Sequence, residues 1–290
     1  HHPRHRRSRR RPPGPGRNPV NDPGSLLALA RPVAEEVAAE LVRALDGDAR
    51  ATAVSSKSTG TDLVTEMDRW AELHITERLL AARPTDSIVG EEGADVTGTS
   101  DITWCIDPID GTVNFVHAMP GFCVSIAAQT RDAGGELVTV AAVVASPLHG
   151  DVFTAVRGGG AFRNDRVLRC ASPVSLARSV VGTGFGYDPA RRARQAEVVA
   201  QIIGEVADIR RSGAAALDLC WVACGRLDGY WEVGLNPWDH AAASLIASEA
   251  GARCEGLRGA APSSDFVLAA PAEVFEELHD LLLAANAAAV

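Results

Sequence analysis

Apolar residues recur at helical spacing from Leu26 to Leu45, which predicts an amphipathic helix closed by Gly47. A polar loop follows from Ser55 to Gly60, then a second helix from about Thr65 to Ala82 that Pro84 ends. Ser87-Ile88-Val89-Gly90 reads as a short strand running into Glu91-Glu92. Thr103-Trp104-Cys105-Ile106 reads as another, entering an acidic turn. The pattern then turns to strands at Cys123–Thr130, Leu137–Ser146 and Val152–Val156. Gly158-Gly159-Gly160 is a hairpin turn rather than a phosphate loop, because a strand-like segment and no helix comes after it. The last third alternates. Strands are expected at Val180–Thr183, Leu227–Val233 and Val267–Ala270, and helices at Ala190–Ala207, Gly213–Gly225, Pro237–Gly251 and Ala272–Ala288.

Mixed helices and strands in this order, with no repeat and no internal linker, predict one layered α+β body over residues 26–290. Residues 1–25 stand apart as a basic, disordered tail with little to bury. Its seven arginines fall between Arg4 and Arg17. Without them 21 basic residues face 37 acidic ones, a net of −16. So acidic a body argues against nucleic acid as a partner and suits carboxylates gathered around cations. Cys105, Cys123, Cys170, Cys220, Cys224 and Cys254 form no Cys-x-x-Cys pair, and most lie in apolar runs. They read as reduced, buried thiols of a cytoplasmic protein, and no zinc-ligand spacing is present. No apolar run reaches the ~20 residues that span a bilayer, so no membrane association is expected.

The chemical signal is Asp107-Pro108-Ile109-Asp110-Gly111-Thr112. Two carboxylates three residues apart on a turn can converge, with Pro108 stiffening the turn and Gly111 tightening it. Magnesium takes oxygen ligands, commonly one or two carboxylates with water and substrate phosphate. A helix starting near Gly111 would add free amides facing an anion. By itself the string reads more readily as a turn with capping aspartates. Glu91-Glu92 after one strand and Asp239 at the start of a helix supply two further acidic clusters at element ends, enough for a polynuclear metal site.

The run from Trp104 to His117 resembles the first signature of the inositol monophosphatase family, and Trp238-Asp239-His240-Ala241-Ala242 resembles the second. Gly90-Glu91-Glu92-Gly93 and the stretch from Lys57 to Asp68 match two more segments, in the family's order, so the resemblance covers about Leu26 to the carboxyl end. It implies an αβαβα sandwich of the sugar-phosphatase type, two to three Mg²⁺ ions per site, inhibition by lithium, and a homodimer. Carried over by position, Glu91, Asp107 and the Ile109 carbonyl would hold one ion and Asp107, Asp110 and Asp239 a second. Glu92 would help with a third through water. Asp68 and Thr112 would position and activate the attacking water, with Glu91 also counted as catalytic. Gly111 and Thr112 amides would hold the phosphate, and Asp110, Gly213, Ala214, Ala215, Glu232 and Asp239 would line the substrate. The loop at Lys57 reads equally as a mobile lid or a linker. His117, His240 and Trp238 are assigned to packing or rim roles, because Mg²⁺ favours oxygen.

Three positions depart from the family pattern. Val113 stands where a second Thr is common, Ala214 where a hydroxyl residue is usual, and Gly60 where the loop often has Pro; none removes a metal ligand. The implied reaction is hydrolysis of a phosphate monoester such as myo-inositol 1-phosphate. Histidinol-phosphate, fructose-bisphosphate and nucleotide 3′-phosphatases of the same fold are the alternatives. A binding protein of the transcription or ribosomal machinery is an alternative of another class, supported here by the arginine-rich tail alone.

Overall fold

The computed structural model describes residues 21–46, 55–56, 63–173 and 175–290. The tail to residue 20, the Gly47 stop and the loop at Lys57 lie outside them. Helix α1 spans Pro23–Asp46, so the fold begins three residues inside the stretch assigned to the tail. Strands β1 (Ser55–Ser56) and β2 (Leu63–Val64) pair with each other, and α2 runs Glu66–Ala82. Next come β3 (Ser87–Gly90), β4 (Asp95–Val96), β5 (Thr103–Asp110) and the short helix α3 (Thr112–Val116). Strands β6 (Cys123–Arg131), β7 (Leu137–Ser146), β8 (Asp151–Val156), β9 (Gly160–Arg163) and β10 (Arg166–Val167) continue the chain. The remaining elements are β11 (Val180–Thr183), α4 (Pro189–Ile202), β12 (Asp208–Arg210), α5 (Ala215–Ala223), β13 (Gly229–Glu232), α6 (Pro237–Glu249), β14 (Arg253–Glu255), β15 (Val267–Ala270) and α7 (Ala272–Ala284).

Two sheets organise these elements. The larger has the order β10-β9-β8-β7-β6-β5-β3-β4 and the smaller β12-β11-β13-β15-β14. Helices α1 and α2 bury Val33, Val37, Leu41, Ile75 and Leu79 against one face of the large sheet, around Trp104 and Ile106. The small, apolar helices α5 and α6 fill the space between the sheets, which is why Ala dominates there. Helices α4 and α7 cover the outer face of the small sheet around Trp231, Phe275 and Leu278. The result is the αβαβα order expected from the sequence. Trp104 is fully buried and its indole N–H donates to Asp86 at 2.9 Å, so its one polar atom is satisfied.

Differences from the expected elements have local causes. The helix expected to reach Ala207 stops at Ile202, two residues before Gly204, and the chain re-enters the small sheet as β12, parallel to β11. Strands β4, β10 and β14 are two or three residues long, too short for periodicity to announce them.

The most consequential difference is at the acidic segment. It is not a turn after the strand: β5 continues through Asp110 and is irregular there, with Asp107 opposite Ser125 and Asp110 opposite Cys123. Three steps on β5 match two on β6, so one extra residue is accommodated as a bulge. Pro108 sits inside it, where a missing N–H costs no ladder bond.

Candidate active site

That bulge settles where the two aspartates point. Residues an odd number apart on a regular strand face opposite sides of the sheet, so Asp107 and Asp110 would diverge. The extra residue restores even spacing, and both line one pocket of about 410 Å³. Glu91, from the turn after β3, and Asp239, in the first turn of α6, reach the same pocket. Ile109, Gly111, Thr112, Gly213, Ala214, Ala215 and Glu232 are also in its wall.

The four acids are crowded. Burial raises the Asp107 carboxyl well above its usual range, and Glu91, Asp110 and Asp239 add to the shift. Burial does the same for Asp110, followed by repulsion from Asp239 and opposed by the amide of Ala216. The three aspartates are also tethered. Asp107 Oδ1 accepts from the Ile109 amide at 3.0 Å. Asp110 accepts from the amides of Ala215 at 3.2 Å and Ala216 at 2.7 Å, serving as the cap that Ala214 cannot provide for α5. Asp239 Oδ2 accepts from the Asn236 amide at 2.6 Å. Among the described residues no three acids, imidazoles or thiols are gathered to hold a metal ion as they stand. The donor set itself is all carboxylate and carbonyl oxygen, the preference of Mg²⁺ rather than of zinc or copper.

Behind this wall lies a second arrangement that starts from α2. Its buried stripe is Asp68, Ala71, Glu72, Ile75 and Leu79, so two acids occupy inward positions at the amino-terminal end of an otherwise apolar face. Asp68 Oδ1 accepts from the Thr112 hydroxyl at 2.9 Å, a contact spanning 44 positions in sequence. Its other oxygen accepts from the amide of Thr65 at 2.7 Å and from the Thr65 hydroxyl, closing a capping box. Burial raises the Asp68 carboxyl, while the Thr65 and Thr112 bonds favour its ionised form. With its O–H donating to Asp68, the Thr112 oxygen keeps its lone pairs to accept a hydrogen bond from another donor. Asp68 does not line the pocket; it meets it through Thr112.

Glu72, which sequence reasoning did not single out, holds the acidic turn. Its carboxylate accepts from the amides of Glu92 and Ala94, both at 2.7 Å. Gly90 permits that approach, because a Cβ there would overlap the carboxylate. The signal was present in sequence: Glu72 lies four residues after Asp68, on the same stripe as Ile75 and Leu79. Asp218 was also missed. It lines the pocket from α5, and burial pushes its carboxyl up to about 8. Glu232 receives the Tyr230 hydroxyl and packs against Gly184, and removal from water raises its carboxyl.

Gly111 is the hinge between the bulge and α3. Its φ is 93°, and a Cβ would come within 2.6 Å of the Gly121 carbonyl, so the position requires glycine. Asn114 then ties α3 to the segment before α5, donating to the carbonyls of Gly121 at 2.6 Å and Ser212 at 2.7 Å. Glu92 does not line the pocket, nor do His117 and His240. Burial lowers the His240 imidazole to about 4. Trp238 lines the pocket and packs partly against the inter-sheet core. All six cysteines are unpaired, with Cys105, Cys123 and Cys220 buried.

Comparison with known proteins gives the same picture from outside. The profile described as the inositol monophosphatase family matches residues 22–288. The Mycobacterium tuberculosis protein named inositol-1-monophosphatase SuhB is 47% identical over 254 residues, 81% of this chain and 85% of that one. A Pseudomonas aeruginosa protein named Nus factor SuhB is 43% identical over 208 residues, 68% of this chain and 73% of that one. The solved structure of Mycobacterium tuberculosis SuhB aligns with a TM-score of 0.76 at 41% identity, covering 92% of this chain and 98% of that one.

Proposed function

Because this chain belongs to the inositol monophosphatase family, we propose that it hydrolyses the phosphate monoester of a polyol, myo-inositol 1-phosphate foremost, with Mg²⁺ as cofactor. The observation that carries the reading is the β5 bulge, which turns Asp107 and Asp110 to one face where Glu91 and Asp239 join them. Glu91, Asp107, Asp110, Asp239 and the Ile109 carbonyl are the groups that would hold two ions, with Glu92 serving a third through water. When bound, the ions supply Lewis acidity to the phosphoryl group, a more acidic water and charge neutralisation.

The chain's own contribution is orientation. Thr112 accepts a hydrogen bond from the attacking water while its own O–H donates to Asp68, so the water oxygen is aimed at phosphorus. Amides of Gly111 and Thr112, at the start of α3, would face the phosphate oxygens. Glu232, Ala214 and Gly213 bound the space for the alcohol. The buried walls keep bulk water from competing with these contacts.

Lithium inhibition, a homodimer and a cytoplasmic location belong to the same proposal. Among the described residues no helix is long and apolar enough to cross a membrane. The relatives named Nus factor keep a binding role in view, but the arginine-rich tail that suggested it lies outside the described residues. The deciding experiment is phosphate release from a panel of monoesters, with and without Mg²⁺, for the intact chain and Asp110→Asn. Mg²⁺-dependent release that the substitution abolishes supports the proposal. No release from any ester at saturating Mg²⁺ overturns it.

A further inference from the structure

Beyond the four-acid cluster the pocket wall carries three more acids, Asp188, Asp218 and Glu232. Two have other roles or no access. Asp188 caps α4, accepting from the Arg191 amide at 2.7 Å. Asp218 is withdrawn from solvent, at 1% exposure. Glu232 is half-buried, and a match between two neighbouring strands sets its direction. Strands β11 and β13 run parallel, with Gly182 opposite Tyr230 and Thr183 opposite Trp231. Residues two apart on a strand share a face, so Tyr230 and Glu232 stand on one side of β13. Gly182 and Gly184, the latter one residue past the end of β11, lie beside them. A Cβ on Gly182 would come within 3.1 Å of the Tyr230 ring, and one on Gly184 would overlap the Glu232 carboxylate. Bare backbone at both positions therefore seats the ring and the carboxylate together.

Tyr230 is fully buried, and its hydroxyl donates to Glu232 Oε2. Among the described residues no hydrogen-bond donor sits on the other oxygen, Oε1. Arg211, from the segment before α5, attracts the same carboxylate, and with the Tyr230 bond it favours the ionised form against burial. One oxygen is thereby pinned and the other offered. Glutamate left to itself turns about three side-chain torsions and points nowhere in particular. Pinned from one side by Tyr230 and packed on the other by Gly184, it becomes an acceptor of fixed direction. Such an acceptor separates an alcohol with a hydroxyl in reach from one without, because a carboxylate taken from water needs a donor in return.

We propose that Tyr230 is a positioning residue for substrate selection: seated on Gly182, and with Gly184 packed on the carboxylate, it aims Oε1 of Glu232 at one hydroxyl of the alcohol. The consequence for catalysis rests on the phosphatase reading; the arrangement of Tyr230, Glu232 and the two glycines does not.

The test compares myo-inositol 1-phosphate with cyclohexyl phosphate, esters of the same ring with and without hydroxyls, at constant free Mg²⁺. The intact chain is expected to favour the inositol ester about tenfold or more in kcat/KM. Tyr230→Phe keeps the ring and removes the donor, and that preference should fall about fivefold or more, through KM for the inositol ester. Gly184→Ala pushes a methyl group into the carboxylate from the other side. It should lower the preference in the same way, and it carries the test should Tyr230→Phe fold poorly. In Glu232→Ala, adding Tyr230→Phe should change the preference no further, since the hydroxyl then has no carboxylate to hold. A tyrosine that is merely structural lowers both esters in proportion. That result, a preference kept in Tyr230→Phe and Gly184→Ala, additive losses with Glu232→Ala, or no preference in the intact chain overturns the positioning role. If neither ester is hydrolysed, the phosphatase reading fails by itself, and calorimetric titration with the same two esters at saturating Mg²⁺ judges the role. Tighter binding of the inositol ester that Tyr230→Phe and Gly184→Ala both weaken supports it, and equal binding of the two esters, or a preference the variants keep, overturns it.

Discussion

Replacing Glu72 by Gln tests whether α2 positions the acidic turn or merely packs against it. The carboxylate accepts two backbone amides, from Glu92 and Ala94, each at 2.7 Å. Gln has one carbonyl oxygen and one NH₂ group. One amide keeps an acceptor, and the other faces a donor. A buried N–H left without a partner costs about 1–3 kcal/mol, and the surviving bond loses the share that charge gave it. The structure also says where that cost falls. The turn is short and ends at the edge pairing of β3 with β4, so it can shift without unfolding the sheet. Glu91 is the residue displaced when it does.

The expected signature is therefore a loss in metal affinity larger than the loss in global stability. Partners of metal-holding residues typically contribute 10–100-fold to affinity, so half-saturation by Mg²⁺ should rise about tenfold or more. Calorimetric titration with Mg²⁺, the Mg²⁺ dependence of phosphate release and urea unfolding of the same samples measure the three quantities. Glu77→Gln, on the exposed side of the same helix, is the control. Unchanged Mg²⁺ affinity alongside a full loss of stability would show that Glu72 is a packing residue, and the positioning argument would be refuted.

Other expectations follow from single features. Thr112→Ala removes the hydroxyl held by Asp68 and should lower kcat by about 10²–10⁴ with little change in Mg²⁺ half-saturation; a fall of less than tenfold contradicts its place beside the attacking water. Gly111→Ala forces a side chain to φ 93° and against the Gly121 carbonyl, and should cost about 1–3 kcal/mol in urea unfolding; a neutral result would mean the bulge adapts freely. Asp218 has its carboxyl pushed up to about 8 in the fold against 3.8 unfolded. Between those values the folded state holds a proton that the unfolded chain has released, so this group makes stability fall as pH rises through the window, on the order of 1.4 kcal/mol per unit at most. Asp218→Asn, unfolded in EDTA at pH 5 and pH 7.5, should gain on the intact chain at the higher pH; an equal difference at both sets the coupling aside. Relief of crowding among Asp107, Asp110, Glu91 and Asp239 should make Mg²⁺ raise the melting temperature of the intact chain and not of Asp110→Asn, read by a thermal shift series.

Much of the fold was readable because its signals are local. Strands β3, β7, β11 and β15 lie where apolar runs between breakers place them, and Thr65, as the cap of α2, and Pro237, in the first turn of α6, punctuate the helices as propensity predicts. The two-residue and three-residue strands were not readable, since pairing partners rather than their own residues define them.

The site divides the same way. Its acids could be named from sequence, but the reason they converge could not. Asp107 and Asp110 are three apart, a spacing that a turn and a bulged strand both make useful, and only the pairing with Ser125 and Cys123 decides between them. The distinction has a physical consequence. A turn leaves its aspartates on a loop, free to move with it. A bulge flanked by ladder bonds fixes one edge of the site to an interior strand of an eight-stranded sheet, with α5 capped by Asp110 on one side and Thr112 locked to α2 on the other. Four acids whose burial, and after it mutual repulsion, raises the carboxyls of Asp107 and Asp110 would spread apart on mobile loops. Held by sheet and helix, they are kept in the wall of one pocket, and the folding free energy of the surrounding sandwich carries the cost of keeping them there.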